Sequence, residues 1–144
     1  MKVVILCGGK GTRIRGIDDD VPKPLIPIGK YPVLWHIMNT YTYYGHNEFI
    51  LCLGYKGNAI KTYFLNYQIM VSDFTSDYGN DGKIEFDNSN IEIDWKITHA
   101  ETGVESLTGS RVKKIEKYIG EDETFLLTYG DGVSDININE LISF

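Results

Sequence analysis

Residues 2–7, Lys-Val-Val-Ile-Leu-Cys, form a β-branched apolar run that ends abruptly at Gly8-Gly9. A run without polar alternation is the pattern of a strand buried on both faces, which places it inside a sheet covered by helices on both sides. The rest of the chain repeats the theme. Apolar strand-like runs recur at residues 49–53, around Trp95 and Ile97, and at residues 124–128. Between them lie segments of helical spacing: Leu34, Ile37, Met38, Tyr41 and Tyr44, stopped by Gly45; Ile60, Tyr63, Phe64 and Tyr67 after Gly57; Val112, Ile115, Tyr118 and Ile119. Strands alternating with helices predict an α/β fold, a Rossmann-like, mostly parallel sheet with ligands bound at the carboxyl ends of its strands.

Three stretches depart from the alternation. Pro22, Pro24, Pro27 and Pro32, all the prolines of the sequence, predict a rigid extended connection with no helix in it. Residues 73–90 are polar and glycine-punctuated, an excursion from the sheet with one short strand at Ile84 and Phe86. Residues 137–144 predict a short last helix.

A length of 144 residues suits one domain, and 42% hydrophobic with 24% charged residues supports a packed core. The net charge of −6 argues against nucleic acid or an anionic lipid surface as partner, so any anion site must be local. No run approaches the ~20 apolar residues of a membrane span. A cytoplasmic protein is expected, with Cys7 and Cys52 as buried free thiols in apolar runs.

The glycine-rich turn Gly8-Gly9-Lys10-Gly11-Thr12-Arg13 lets backbone N–H groups approach a phosphate, while Lys10, Arg13 and Arg15 add local positive charge. Taken alone, such a turn is equally a plain loop with solvated charges. It is not a Walker A loop, because no Gly-Lys pair is followed by Ser or Thr, and it lacks the third glycine of the dinucleotide fingerprint. Asp131 stands between Gly130 and Gly132 just past a buried strand, a poor structural place for a carboxylate and a good one for a metal ligand. His36, His46 and His99 form no grouping with Cys or Ser that suggests a triad or zinc site. Residues 77–88 faintly echo a calcium loop but carry Asn88 where the twelfth-position Glu belongs.

Gly8-Gly9-Lys10-Gly11-Thr12-Arg13-Ile14 followed by Pro22-Lys23-Pro24 resembles the paired motif of the nucleotidyltransferases that join a nucleoside triphosphate to a sugar 1-phosphate. Leu34-Trp35-His36-Ile37-Met38, Gly54-Tyr55-Lys56-Gly57, Thr108-Gly109-Ser110-Arg111 and Thr128-Tyr129-Gly130-Asp131-Gly132 are similar to the glucose-1-phosphate cytidylyltransferase branch of that family. The resemblance implies a nucleotide-diphospho-sugar transferase fold and transfer of a cytidylyl group from CTP to glucose 1-phosphate. It also implies that Leu6, Cys7, Gly8, Gly9, Lys10, Gly11, Thr12 and Arg13 wrap the nucleotide and that Ser106, Arg111 and Gly130 add contacts. Lys23 and Arg13 would act on the phosphates, and Asp131 would hold Mg²⁺. Such enzymes assemble through the stretch after the second helix, so a homo-oligomer is expected.

Family enzymes continue well beyond Phe144, with a sugar-binding region and a second magnesium aspartate. Residues 1–144 are therefore expected to be the nucleotide-binding portion, the C-terminal sugar-binding portion being absent. A fragment, a naturally shortened binding or assembly module without catalysis, and one half of a split enzyme all fit. Use of another nucleoside triphosphate or sugar phosphate stays open. A glycosyltransferase on a similar fold fits less well, because the strand end reads Gly130-Asp131-Gly132 and lacks an Asp-x-Asp pair.

Overall fold

The computed structural model describes residues 1–10, 20–87, 93–121 and 124–144. Its central sheet is four-stranded and entirely parallel: β1 (Val3–Leu6), β4 (Glu48–Leu53), β7 (Lys96–Glu101) and β8 (Leu126–Tyr129), in the order β7-β4-β1-β8. Val3 aligns with Phe49 on one side and Leu126 on the other. All residues of β1 are buried, as a central strand requires. Successive strands first step away from β1 on one side, then β8 returns to its other side. The crevice between β1 and β8 is thus the topological switch point, where open α/β sheets bind ligands.

The two sheet faces carry separate cores. On one, Val3, Ile5 and Cys7 pack with Phe49 and Leu51 against α1 (Val33–Tyr43), α2 (Gly57–Leu65) and Ile138 of α6 (Ile138–Ser143). On the other, Val4, Leu6, Ile50 and Cys52 meet Ile115, between α4 (Thr108–Lys114) and α5 (Glu116–Ile119), and Ile119. Strand alternation explains the split, since neighbouring side chains point to opposite faces. In α1 the buried stripe is Val33, Leu34, Ile37, Met38 and Tyr41, and Gly45 ends the segment at φ +86°.

Three expectations need correction. The proline-rich connection is not helix-free: Lys23–Leu25 form one 3-10 turn, closed by Leu25 N–H to the Pro22 carbonyl at 2.9 Å. Proline's fixed φ suits a first helical turn as well as an extended segment, and only the residue before it is pushed away from helix. Further along, β2 (Pro27–Ile28) pairs antiparallel with β3 (Tyr31–Pro32). The polar excursion holds a hairpin of two strands, β5 (Phe74–Asp77) and β6 (Lys83–Phe86), with Phe74 facing Phe86. The second helix breaks at Asn66 into α2 and α3 (Tyr67–Val71).

Both cysteines are free and buried. His36 is a satisfied polar residue, its Nε2 2.9 Å from the Ile28 carbonyl. Tyr63 and Tyr67 pack edge to face at 6.0 Å, and Trp35 Nε1–H donates to the Tyr67 hydroxyl. Among the described residues, no helix is long and apolar enough to cross a membrane.

Candidate active site

A cleft of about 230 Å³ opens at the carboxyl ends of β1 and β8. Its floor is the end of β1 and the glycine turn, Leu6, Cys7, Gly8 and Gly9. Its sides are lined by Lys23 and Pro24 of the 3-10 turn, Tyr129 at the end of β8 and Asp131 after it, and Ser106, Leu107, Thr108 and Arg111 from the connection after β7 and from α4. The fold thus gathers Leu6, Cys7, Gly8, Gly9, Lys23, Ser106, Arg111 and Asp131, residues up to 125 positions apart in the chain, around one opening. Gly11, Thr12 and Arg13 lie outside the described residues, as does Arg15.

Local chemistry explains how the walls are set. Gly130 N–H donates to the Leu6 carbonyl at 3.0 Å and continues the β1–β8 ladder into the cleft. A Cβ at Gly130 would stand 2.8 Å from Cys7 Sγ and 3.3 Å from Pro24 Cγ, so only glycine lets the loop close over them. That closure brings Asp131 toward Lys23, with Oδ2 3.7 Å from Nζ and both side chains still part-exposed. The 3-10 turn therefore places a lysine beside the aspartate that follows β8; against expectation that strand is not buried, since it forms one edge of the described sheet and only Leu126 in it is buried. Such a pair offers a cation for phosphate oxygens and a carboxylate for a divalent cation.

Arg111 is 4% exposed, and its guanidinium is engaged by the scaffold. Nη1 donates to Thr102 Oγ1 at 2.7 Å and to the Leu53 carbonyl at 3.3 Å; Nη2 donates to the Gly8 carbonyl at 2.9 Å and the Val104 carbonyl at 3.3 Å. One side chain thus ties together the end of β4 and the segments that follow β1 and β7. Thr102, also buried, donates its own hydroxyl to the Leu53 carbonyl at 2.7 Å. Ser106 Oγ–H donates to the Thr102 carbonyl and accepts from Lys114 Nζ at 2.8 Å, which pins this side of the cleft.

Cys7 sits against this cleft, but burial, then the charges of Cys52 and Asp131, push its thiol far above the ordinary range. It is a neutral packing group and no nucleophile. Among the described residues, no group of three or more His, Cys, Asp and Glu side chains could hold a metal ion. A resident metal cage is thus not built from them. The lone Asp131 carboxylate does fit the way Mg²⁺ is usually held, by one or two carboxylates together with substrate phosphates.

Sequence reasoning missed Thr102 as a site-building residue, and it quoted Gly54 within a motif without giving it a role. A threonine at a strand end carries no motif, and its importance arises only when Arg111 folds over it. Tyr129, Leu107 and Thr108 line the cleft as well.

A parallel α/β sheet with a glycine-floored cleft at its switch point defines a ligand-binding class of α/β protein. Comparison with known proteins narrows this. The nucleotidyl transferase family model matches residues 2–144, and the chain belongs to that family. It is 54% identical over 144 residues to the probable glucose-1-phosphate cytidylyltransferase of Bacillus subtilis (strain 168), covering 100% of this chain and 55% of that protein. It is 45% identical over 144 residues to the glucose-1-phosphate cytidylyltransferase of Salmonella typhimurium, again over 100% of this chain and 55% of that protein. Among solved structures, HddC from Yersinia pseudotuberculosis complexed with GMP-PN superposes with a TM-score of 0.62 at 28% identity, covering 99% of this chain and 52% of that one. The chain spans about half the length of the curated relatives it matches.

Proposed function

We propose that this chain is the nucleotide-binding portion of a glucose-1-phosphate cytidylyltransferase, which converts CTP and glucose 1-phosphate into CDP-glucose and pyrophosphate. The observation that carries the reading is the convergence of the glycine turn, Lys23 and Asp131 on one cleft at the β1–β8 switch point. The similarity to the cytidylyltransferases of Bacillus subtilis and Salmonella typhimurium supports CTP over other nucleotides.

In this reaction a sugar phosphate oxygen attacks the α-phosphorus and pyrophosphate leaves in line, so the protein's part is positioning and charge stabilisation. The turn at Leu6 to Lys10, continued through Gly11, Thr12 and Arg13, would hold the nucleotide, with Ser106, Arg111 and Gly130 completing its surroundings. Lys23 would neutralise charge on the reacting phosphate, and Arg13 would serve the distal phosphates. Mg²⁺ held by Asp131 would supply neutralisation of the phosphate oxygens. A neutral, buried Cys7 is not itself a nucleophile that would compete with the direct displacement.

The test is pyrophosphate release by this chain with Mg²⁺ and glucose 1-phosphate, each of the five nucleoside triphosphates tried in turn. Release with CTP alone supports the reading. CTP binding without release favours a second reading, a nucleotide-binding module without turnover. No binding of any triphosphate overturns both. Exposed Leu65, Met70 and Tyr78, at 82%, 62% and 88%, support self-association into a homo-oligomer, which light scattering would measure. Soluble nucleotide substrates and free cysteines fit a cytoplasmic setting.

A further inference from the structure

Two loops frame one end of the cleft, and among the described residues a single ion pair joins them. Lys10 Nζ donates to Glu105 Oε1 at 2.6 Å. Lys10 directly follows Gly9 and Glu105 directly precedes Ser106, both of which line the cleft, so the pair spans from the glycine turn to the connection after β7. The side chains are 58% and 83% exposed, so the contact adds little to folding and is cheap to break. It also recruits the very cation that the glycine turn offers to a phosphate chain.

We propose that Glu105 is a specificity-setting competitor for Lys10: its carboxylate holds the ammonium across the cleft end until a nucleotide's triphosphate takes it over. The inference rests on the nucleotide reading of the cleft. A lysine ammonium is a compact charge on a flexible stem, able to swing between neighbouring anions. A triphosphate presents several negative charges to it against the single carboxylate of Glu105, so the exchange runs toward phosphate. A nucleoside without phosphates leaves the Lys10–Glu105 pair undisturbed. Glu105 thereby lowers affinity for the triphosphate and leaves affinity for the nucleoside alone. The hydrogen bond and charge of Lys10 hold the Glu105 carboxyl below the usual carboxylate range, so the competitor is ionised wherever the enzyme would work.

Isothermal titration of this chain with CTP and with cytidine tests the exchange. Glu105→Gln should bind CTP about two- to fivefold more tightly, the factor expected when an exposed ion pair no longer has to be broken. Cytidine affinity should stay unchanged, and Glu105→Asp, which keeps the charge, should stay near the parent. The CTP gain should shrink at high salt. In a Lys10→Met background Glu105→Gln should give no gain, because the coupling runs through the ammonium. A gain that persists without Lys10 would mean simple repulsion of phosphate by Glu105 and would overturn the exchange. Unchanged or weaker CTP binding by Glu105→Gln would overturn it too, while leaving the nucleotide reading in place. Failure of the parent chain to bind CTP would remove both.

Discussion

Gly54→Ala places a methyl group at the point where the strand ends converge. A Cβ there would stand 2.5 Å from Arg111 Nη1, 2.8 Å from the Gly103 carbonyl oxygen and 2.9 Å from the Gly8 carbonyl oxygen. The guanidinium can swing away, but the carbonyls cannot move freely. The Gly8 carbonyl, for one, accepts from Arg111 Nη2 at 2.9 Å and from Tyr55 N–H at 3.3 Å. Overpacking of this kind costs about 1–3 kcal/mol. Displacing the guanidinium from one of its buried acceptors adds about 1.5–3 kcal/mol, the range for hydrogen bonds to charged groups. The sum is about 2.5–6 kcal/mol. With an unfolding entropy of ~2.1 cal/mol/K per residue, a chain of 144 residues loses roughly 3 °C of Tm per kcal/mol. A drop of about 8–20 °C in a circular dichroism melt is therefore expected. Gly9→Ala is the internal control, since a Cβ at Gly9 meets no described residue within 4 Å and should change stability by less than ~1 kcal/mol. A Gly54→Ala protein melting within ~2 °C of the parent would refute the idea that Arg111 and the strand-end carbonyls leave no room there.

Asp131→Ala should abolish magnesium-dependent stimulation of CTP binding or turnover with the melting temperature nearly unchanged; full stimulation in the variant removes Asp131 from the metal role. Lys23→Met should weaken CTP binding by about 10- to 100-fold, as loss of a hydrogen bond to a charged group does, and leave cytidine binding within twofold or so. Equal losses for both ligands would place Lys23 away from the phosphates. Burial, then the charge of Lys61, holds His99 below its usual value of 6.5, so its neutral form is favoured in the fold. That contribution is present above about pH 6.5 and is lost as pH falls through the lowered folded value. His99→Leu should flatten this acid limb in urea titrations run from pH 7 downward, and an unchanged slope would assign the limb to other groups.

The strands and the helix–strand alternation were legible because continuous apolar runs and 3.6-residue spacing both state burial directly. Residues 49–53 of the reading match β4 within one position, and the stripe from Leu34 to Tyr41 matches the buried face of α1. What failed was local. The strand at Phe74–Asp77 reads Phe-Thr-Ser-Asp, with no apolar alternation, and exists because Phe74 pairs across to Phe86. The 3-10 turn at Lys23 is hidden by its prolines. The cleft's residues were named as a set of motifs, but the 3.7 Å approach of Lys23 to Asp131 was not legible, because it depends on the hidden 3-10 turn. Nor was the Lys10–Glu105 pair, because Glu105 belongs to no motif and meets Lys10 only across 95 residues of chain.

The glycines of the turn show why motif and mechanism are not the same statement. Reading Gly8 and Gly9 together assigns both to phosphate approach, yet the structure separates them. A Cβ at Gly8 would collide with the Arg111 guanidinium, whereas among the described residues nothing crowds Gly9. Gly8 is small so that a buried cation can reach the Gly8, Leu53 and Val104 carbonyls, an arrangement that satisfies a guanidinium having no carboxylate partner among the described residues. Gly9 has no such internal reason among the described residues. Arg111, expected from its motif to contact nucleotide, is by geometry a strand-end clamp. The clamp explains how the motif's position can matter to the nucleotide, since it fixes the Gly8 carbonyl and with it the direction in which the following amides face the cleft.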